Sequence, residues 1–357
     1  MIPEIRIGNA VVRDGGSPFV IAEIGVNHNG DLDLARRMVI AARDAGADCA
    51  KFQTFRAERV ATLAAPKARY QLRSTSPGET QIEMLRGLEL AEGHHRELMR
   101  LCDEVGVVFL SAPYSEEDLA FLVSLGVRAL KIPSALLVEP AMIRAAARSG
   151  LPVIASTGMA TLAEVDEAVT TFHAAGGRDL VLLQCTTDYP APVGDANLRA
   201  MRLMREAFGV PVGYSDHTPG TAAIVAAVAL GASVLEKHFT TDRTLPGPDQ
   251  ATSSDPAEFR AMADAARDAW RALGSGRKEP APAELPNIVG MRRSLVAGVD
   301  IPVGTVLAPG MLVAKRPATG IPPRDLDRVV GARARVAIAA DTILEWWMLD
   351  VAPGGPA

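Results

Sequence analysis

Two short segments, "YSDH" (214–217) and "LEKHF" (235–239), each bring an apolar run to ionisable side chains, and each carries a histidine, His217 and His238, at a corresponding position. Ionisable groups are costly to bury without partners, so runs that end this way should deliver them to a shared site. Two imidazoles held on neighbouring elements, with Glu23, Asp216, Glu236 and Asp249 nearby, form a donor set for a divalent metal that leaves positions open for substrate. Either histidine taken singly is more often a hydrogen-bonded structural residue. Their matched placement favours the metal.

The same pattern recurs at six other apolar runs. "AEIGVNHNG" carries Glu23, Asn27 and His28, "KFQT" carries Lys51 and Gln53, and "LSAP" carries Ser111. "KIPS" carries Lys131 and Ser134, "ASTG" carries Ser156 and Thr157, and "QCTTDYP" carries Gln184, Thr186, Thr187 and Tyr189. "YSDH" adds Ser215. Lysines among hydroxyls offer many donors and a positive field, which predicts an anionic ligand such as a phosphate or carboxylate. A lysine is commonly a snorkelling surface residue, but the apolar neighbours on both sides of Lys51 and Lys131 favour cations facing a bound anion. His94, His95 and His173 read as solvated.

Elements must bring these ends together. The apolar segments are Phe19–Gly25, Cys49–Thr54, Val107–Pro113, Ala129–Ser134, Pro152–Gly158, Leu180–Thr186, Pro211–His217 and Ser233–Phe239. They are near-continuous rather than alternating, as in parallel strands buried on both faces. Helical patterns lie between them, and the last, 255–274, has Asp255 as cap, Pro256 in the first turn and Gly274 beyond the end. Eight strand–helix units imply a (β/α)₈ TIM barrel, whose active site sits at the C-terminal strand ends. An open doubly wound sheet is the runner-up, weakened because no strand is followed by GxGxxG or a P-loop. Residues 5–13 alternate around Gly8-Asn9 and predict a hairpin closing the barrel's bottom. The connection from Phe55 to about Gly93 is long enough to predict a functional role. The reading is a barrel over 1–273, a Pro- and Gly-rich linker over 274–289 and a small β-rich domain over 290–352.

Composition narrows the partners. Of 357 residues, 48% are hydrophobic and 22% charged, as in an ordinary globular protein. A net charge of −5 and 4% aromatics give no reason to expect nucleic acid or an anionic membrane. No apolar run approaches the ~20 residues of a membrane span, and the N-terminus does not read as a signal peptide. The three cysteines, Cys49, Cys102 and Cys185, are far apart and read as reduced, buried thiols in a cytoplasmic protein.

The motifs "IAEIGVNHNG", "KFQTF", "KARYQ", "QIEML", "LKIPS", "ASTGM", "CTTDYPAP", "GYSDHT", "LEKHF", "PGPD" and "KRPATGI" resemble, in order and spacing, the sialic acid synthase family over about residues 5–350. That resemblance implies a TIM barrel joined to an antifreeze-like (SAF) domain, in a homodimer whose SAF domain covers the partner's active site. It implies condensation of phosphoenolpyruvate with an N-acylated hexosamine. His217 and His238 match the metal ligands, usually assigned to manganese; this donor set also admits magnesium or cobalt. Lys51, Lys131, Ser134, Ser156, Ser215 and Thr187 match the phosphoenolpyruvate groups, with Ser111 on the neighbouring strand end. Glu23, Gln53, Tyr189 and Asp249 match residues around the sugar, Tyr70 falls in the matching "KARYQ", and Arg316 matches an arginine directed to the sugar's N-acyl end. In the implied mechanism the lysines hold the dianion, and Glu23 handles the proton of the attacking water.

The sequence departs from the family on the acceptor side. The family's "KIxSGE" is here "KIPSALL", with Ala135 and Leu136, so a carboxylate that normally faces the sugar is replaced by an apolar residue. Ala112 stands where a phosphate-contacting Thr can occur, Gln184 where His is common, and "PDQ" replaces "PDH". These changes predict an altered acceptor. The alternatives are a catalytically weakened sugar-phosphate-binding homologue, or a specialised-metabolite synthase acting on another aldose.

Overall fold

A computed structural model describes residues 2–68, 71–76 and 78–351, in two compact units divided between Gly274 and Ser275. Strands β1 (Ile5–Ile7) and β2 (Ala10–Val12) form an antiparallel hairpin. Eight parallel strands follow: β3 (Phe19–Gly25), β4 (Cys49–Thr54), β5 (Val108–Pro113), β6 (Leu130–Ile132), β7 (Val153–Ser156), β8 (Leu180–Cys185), β9 (Val212–Asp216) and β10 (Val234–His238). Their order is β5-β4-β3-β10-β9-β8-β7-β6, so the first strand of the set pairs with the last, while β5 and β6 lie side by side without a ladder. This is the nearly closed (β/α)₈ barrel that the eight apolar runs imply.

Alternate side chains of each strand face opposite ways, and both faces are buried. Inside the barrel floor, Phe19, Ile21, Cys49, Leu110, Ala129 and Ile154 pack with Val181, Leu183 and Val234. The hairpin adds Ile5, Ile7 and Val12 to the same cluster, closing the bottom as the alternation over 5–13 predicts. Outside the strands, Val20, Ala50, Phe52, Phe109, Leu182 and Tyr214 pack against the helices. Gly213 has no room for a side chain, because a Cβ there would sit 2.2 Å from the Val234 carbonyl oxygen. The final helix of the unit, Pro256–Leu273, starts at Asp255, whose side chain accepts from the Ala257 and Glu258 amides.

The long excursion after β4 is not irregular. It contains helices at Ala57–Val60, Gln71–Ser74 and Gln81–Gly87, the last opened by a Thr80–Glu83 capping box. Within it, buried Lys67 donates to Thr75 Oγ1 and Glu79 Oε2 at 2.9 and 2.8 Å, which ties the excursion to itself.

The second unit holds β11 (Ser294–Ala297), antiparallel to β12 (Leu312–Lys315), and β13 (Arg333–Ala334), antiparallel to β14 (Leu349–Asp350). Leu295, Ala297, Ile301, Leu307, Ile321 and Leu344 form its core. A short helix, Leu285–Met291, precedes β11, and Val289 O accepts from the Ala318 amide at 2.8 Å. No helix among the described residues is long and apolar enough to cross a membrane.

Candidate active site

The inward residues change character along the barrel axis. Below they are apolar; above, at the C-terminal ends, they are Glu23 (β3), Lys51 and Gln53 (β4), Lys131 (β6), Ser156 (β7), Cys185 (β8), Ser215 (β9), and Glu236 and His238 (β10), with His217 just past β9. All of them line one cavity of about 250 Å³. Each strand supplies the residue two positions above its last floor residue, so the alternation that packs the floor also aims the site.

Two lysines and two carboxylates form its centre. Lys51 Nζ lies 2.6 Å from Glu23 Oε2 and 3.6 Å from Glu236 Oε1. Glu236 Oε2 lies 3.9 Å from Lys131 Nζ, and Glu236 Oε1 accepts from Ser215 Oγ at 3.2 Å. Lys131 Nζ donates to Ser156 Oγ at 2.6 Å and to the Ile132 carbonyl at 3.1 Å. Gln53 Nε2 donates to the other Glu23 oxygen at 3.1 Å.

Burial and charge act on these groups in opposite senses. Burial pushes the Glu23 carboxyl up to about 7, helped by the Glu236 charge and opposed by Lys51. Burial works the same way on Glu236, but Lys131, Lys51 and His217 outweigh it and hold that carboxyl below its ordinary value. Lys131 is lowered, chiefly by burial, whereas Lys51 is raised because its two carboxylates overcome burial. Glu236 is therefore the fixed anion of the cluster and Glu23 the carboxyl that can exchange a proton near neutrality.

The histidines adjoin this cluster. Their ring centroids are 5.4 Å apart, and the Tyr189 ring lies 4.2 Å from His217 and 5.5 Å from His238. His217 Nδ1 donates to the Thr186 carbonyl at 2.7 Å, which directs Nε2 away as the ligating atom. Burial and the surrounding cations keep His238 well below the ordinary imidazole value, so it is neutral, as a ligand must be. Its Nδ1 is buried without a hydrogen bond, 3.9 Å from Asp249 Oδ2. Two adjacent imidazoles fit a divalent cation that takes its remaining ligands from substrate oxygens; among the described residues no group of three His, Cys, Asp or Glu side chains forms a protein-only site.

Other candidates from the sequence divide. Ser134, Thr187, Tyr189 and Asp249 also line the cavity, and Ser134 Oγ accepts from the Gly158 amide at 3.0 Å. Gly158 has to be glycine here, since a Cβ would stand 2.3 Å from Thr187 Oγ1 and 2.8 Å from Ser134 Oγ. Ser111 is not at the cavity: it points outward and its hydroxyl pairs with Thr54 Oγ1 at 2.6 Å, while Ala112 takes the inward position. Asp216 is likewise outward, accepting from Lys237 Nζ at 2.5 Å and from the Thr218 amide at 2.8 Å. Asn27 and His28 are buried and structural; Asn27 Nδ2 donates to the Phe239 carbonyl and Ser253 Oγ, and His28 Nδ1 accepts from Gly30. Outward Gln184 donates to the Ala196 carbonyl.

Arg316 is an exposed residue of the second unit, donating to the Met291 carbonyl at 3.0 Å. Tyr70 lies outside the described residues. Leu136, expected to replace a carboxylate in the site, is turned into the core between strands and helices; Ala135 stands at the cavity instead. His95, expected in solvent, is 2% exposed and its Nε2 meets Thr54 Oγ1 at 2.9 Å.

Residues not singled out from the sequence complete the lining. Cys185 has its sulfur 4.0 Å from His217 Nδ1. Gln71, Gln81, Met84, Leu85 and Leu88 arrive from the long excursion. The excursion's length signals that it does something, but no local pattern says which of its residues turn toward the barrel.

A barrel with acid–base, cationic and imidazole groups converging at its C-terminal rim is the frame of an enzyme. The chain belongs to the NeuB family, whose pattern matches residues 38–278, and a SAF domain matches residues 292–350. It is 44% identical over 332 residues to the N,N'-diacetyllegionaminic acid synthase of Legionella pneumophila, covering 92% of this chain and 93% of that one. It is 38% identical over 333 residues to the human N-acetylneuraminate-9-phosphate synthase, covering 92% and 91%. The crystal structure of the N-acetylneuraminic acid (sialic acid) synthetase of Leptospira borgpetersenii in complex with citrate superimposes with a TM-score of 0.71 at 34% identity, covering 81% of this chain and 96% of that one.

Proposed function

We propose that this enzyme condenses phosphoenolpyruvate with the open-chain aldehyde of an N-acylated hexose, giving a nonulosonic acid and phosphate. One observation carries the reading: two buried lysines and a set of hydroxyls share a cavity with a carboxyl poised near neutrality and two adjacent histidines. The relatives named as synthases of legionaminic and neuraminic acids support the reaction class.

Lys131, Ser134, Ser156, Ser215 and Thr187, which line the cavity, would hold the phosphate and carboxylate of phosphoenolpyruvate by charge-assisted hydrogen bonds. Lys51, one strand removed from Lys131, would face the same anion, and Glu236, which approaches both lysines, keeps them in register when the anion is absent. Carbon 3 of phosphoenolpyruvate attacks the aldehyde carbon, forming the new C–C bond and leaving positive charge at carbon 2. Water adds to carbon 2 and gives its proton to Glu23. The new hydroxyl on carbon 2 then loses its proton as the C–O bond to phosphate breaks, so carbon 2 becomes the ketone and phosphate leaves; of water's two protons, one passes from Glu23 to the aldehyde oxygen, now an alkoxide, and the other departs on the phosphate. A divalent cation held by His217 and His238, manganese by preference, would supply Lewis-acid polarisation of the aldehyde. Tyr189, Asp249 and Gln53, which line the same cavity, would orient the sugar. Arg316 would reach the acceptor from a second copy of the chain, in a domain-swapped homodimer.

The test is phosphate release and product mass with phosphoenolpyruvate, Mn2+ and a panel of acceptors. The panel holds N-acetylmannosamine, its 6-phosphate, a 2,4-diacetamido-2,4,6-trideoxyhexose and non-acylated aldoses, with His217→Ala as control. Phosphate release with an N-acylated acceptor and the matching acid mass are expected. Tight phosphoenolpyruvate binding with no turnover on any acceptor would favour a binding protein instead.

A further inference from the structure

The segments that follow β3 and β10 are joined by buried side chains that do not themselves line the cavity. Gln250, 1% exposed, directly follows Asp249 and opens the short turn Gln250–Thr252. Its Nε2 donates to the Asn27 carbonyl at 2.6 Å, and its Oε1 accepts from Thr240 Oγ1. The Asn27 side chain, also buried, donates from Nδ2 to Ser253 Oγ at 2.8 Å, and Ser253 Oγ donates in turn to the Asp249 carbonyl at 2.7 Å. Asn29 Nδ2 adds a bond to the Pro246 carbonyl at 2.7 Å.

Asp249 stands at the centre of this network. Its own carbonyl is tied to Asn27 through one hydroxyl, and the residue after it is tied to Asn27 directly. Its side chain lines the cavity, with Oδ2 3.9 Å from His238 Nδ1. An apolar side chain could fill the space of Gln250 without the cost of burying an amide. What the amide adds is direction: a satisfied buried polar network is rigid and admits one arrangement.

We propose that Gln250 is a positioning residue: bonded to Asn27 and Thr240, it fixes the Asp249 carboxylate against His238 and so governs how the acceptor is oriented. The inference rests on the condensation reading for what Asp249 orients, and it adds what holds Asp249 in place. Gln250→Leu keeps the bulk but takes one hydrogen-bond partner from the Asn27 carbonyl and one from the Thr240 hydroxyl, which frees the turn to shift. A misplacement of about 1 Å can cost on the order of 100-fold in rate.

The experiment is a double-mutant cycle on Gln250→Leu and Asp249→Asn, run with each acceptor of the panel that turns over, together with crystal structures of the wild type and Gln250→Leu in one crystal form. Gln250→Leu should lower kcat/KM for the acceptor at least about tenfold and leave the KM of phosphoenolpyruvate unchanged. In the Asp249→Asn background the same change should cost less than about twofold, because the carboxylate it positions is already gone. Equal losses in both backgrounds, or a matching rise in the KM of phosphoenolpyruvate, would overturn the assignment. If Gln250→Leu does not fold, Thr240→Val, which keeps the side-chain shape without the hydroxyl, replaces it in the cycle and in the crystals with the same expectations. The Asp249 carboxylate should move by about 1 Å or more while Lys51 and Lys131 stay in place. That displacement without turnover on any acceptor upholds the positioning role while the condensation reading fails; an unmoved Asp249 sinks the role whatever the kinetics.

Discussion

The Glu23 carboxylate and the Lys51 ammonium meet at 2.6 Å on neighbouring strands, both almost wholly buried. Pairing of this kind usually pulls a carboxyl down, yet Glu23 sits at about 7 because burial and the nearby Glu236 charge outweigh the lysine. Below that value Glu23 holds its proton and cannot take one from water; above it the carboxylate is free to do so. The rate should therefore fall as pH drops through about 7, and this limb should vanish in Glu23→Gln along with at least 100-fold of kcat. A profile whose acidic limb survives in Glu23→Gln would assign it to another group.

Glu236 is the counter-ion of two lysines, and removing a buried counter-ion leaves charge uncompensated. Glu236→Gln should lower the melting temperature by several degrees and enlarge the stabilisation conferred by phosphoenolpyruvate, whose own charge would replace the lost carboxylate. Lys131→Met should do the reverse, retaining the fold while weakening phosphoenolpyruvate binding tenfold or more. Thermal melts of the three proteins with and without the ligand separate these outcomes; an unchanged ligand-induced shift in Glu236→Gln would count against the bridging role.

Chelation addresses the histidines. With two adjacent imidazoles and, among the described residues, no group of three protein donors, a divalent cation should be removed readily by a chelator, and phosphate release should stop and return on addition of Mn2+. His217→Ala and His238→Ala should not be rescued at stoichiometric metal. Full activity after exhaustive chelation would refute the metal reading.

Leu136 and Ala135 make opposite predictions for the same engineered carboxylate. Leu136 is packed among core residues, so Leu136→Glu should cost about 3 kcal/mol or more in stability through buried charge. Ala135 is exposed at the cavity, so Ala135→Glu should leave the melting temperature within about 2 °C and alter acceptor KM. Denaturation curves and acceptor kinetics check both; a stable, active Leu136→Glu enzyme would show that the side chain can swing into the site.

The eight strands, their order along the barrel and the hairpin floor follow from the sequence, because a parallel strand covered on both faces must be apolar over its whole length and the polar residues can only gather at its ends. That same property hides the phase of each strand. With both faces buried, hydrophobic alternation does not tell inward from outward, and so "LSAP" offered Ser111 where the structure turns Ala112 to the cavity. Barrel closure settles it: once Val234 is in the floor, Glu236 and His238 must point into the site and Lys237 must point out to Asp216. The apolar wall of the cavity was beyond reach for another reason. Its residues, Val26, Phe55 and Met84 among them, come into one cluster from segments well separated along the chain, and no local period encodes which side of a short helix will face a cavity that exists only after the strands have closed.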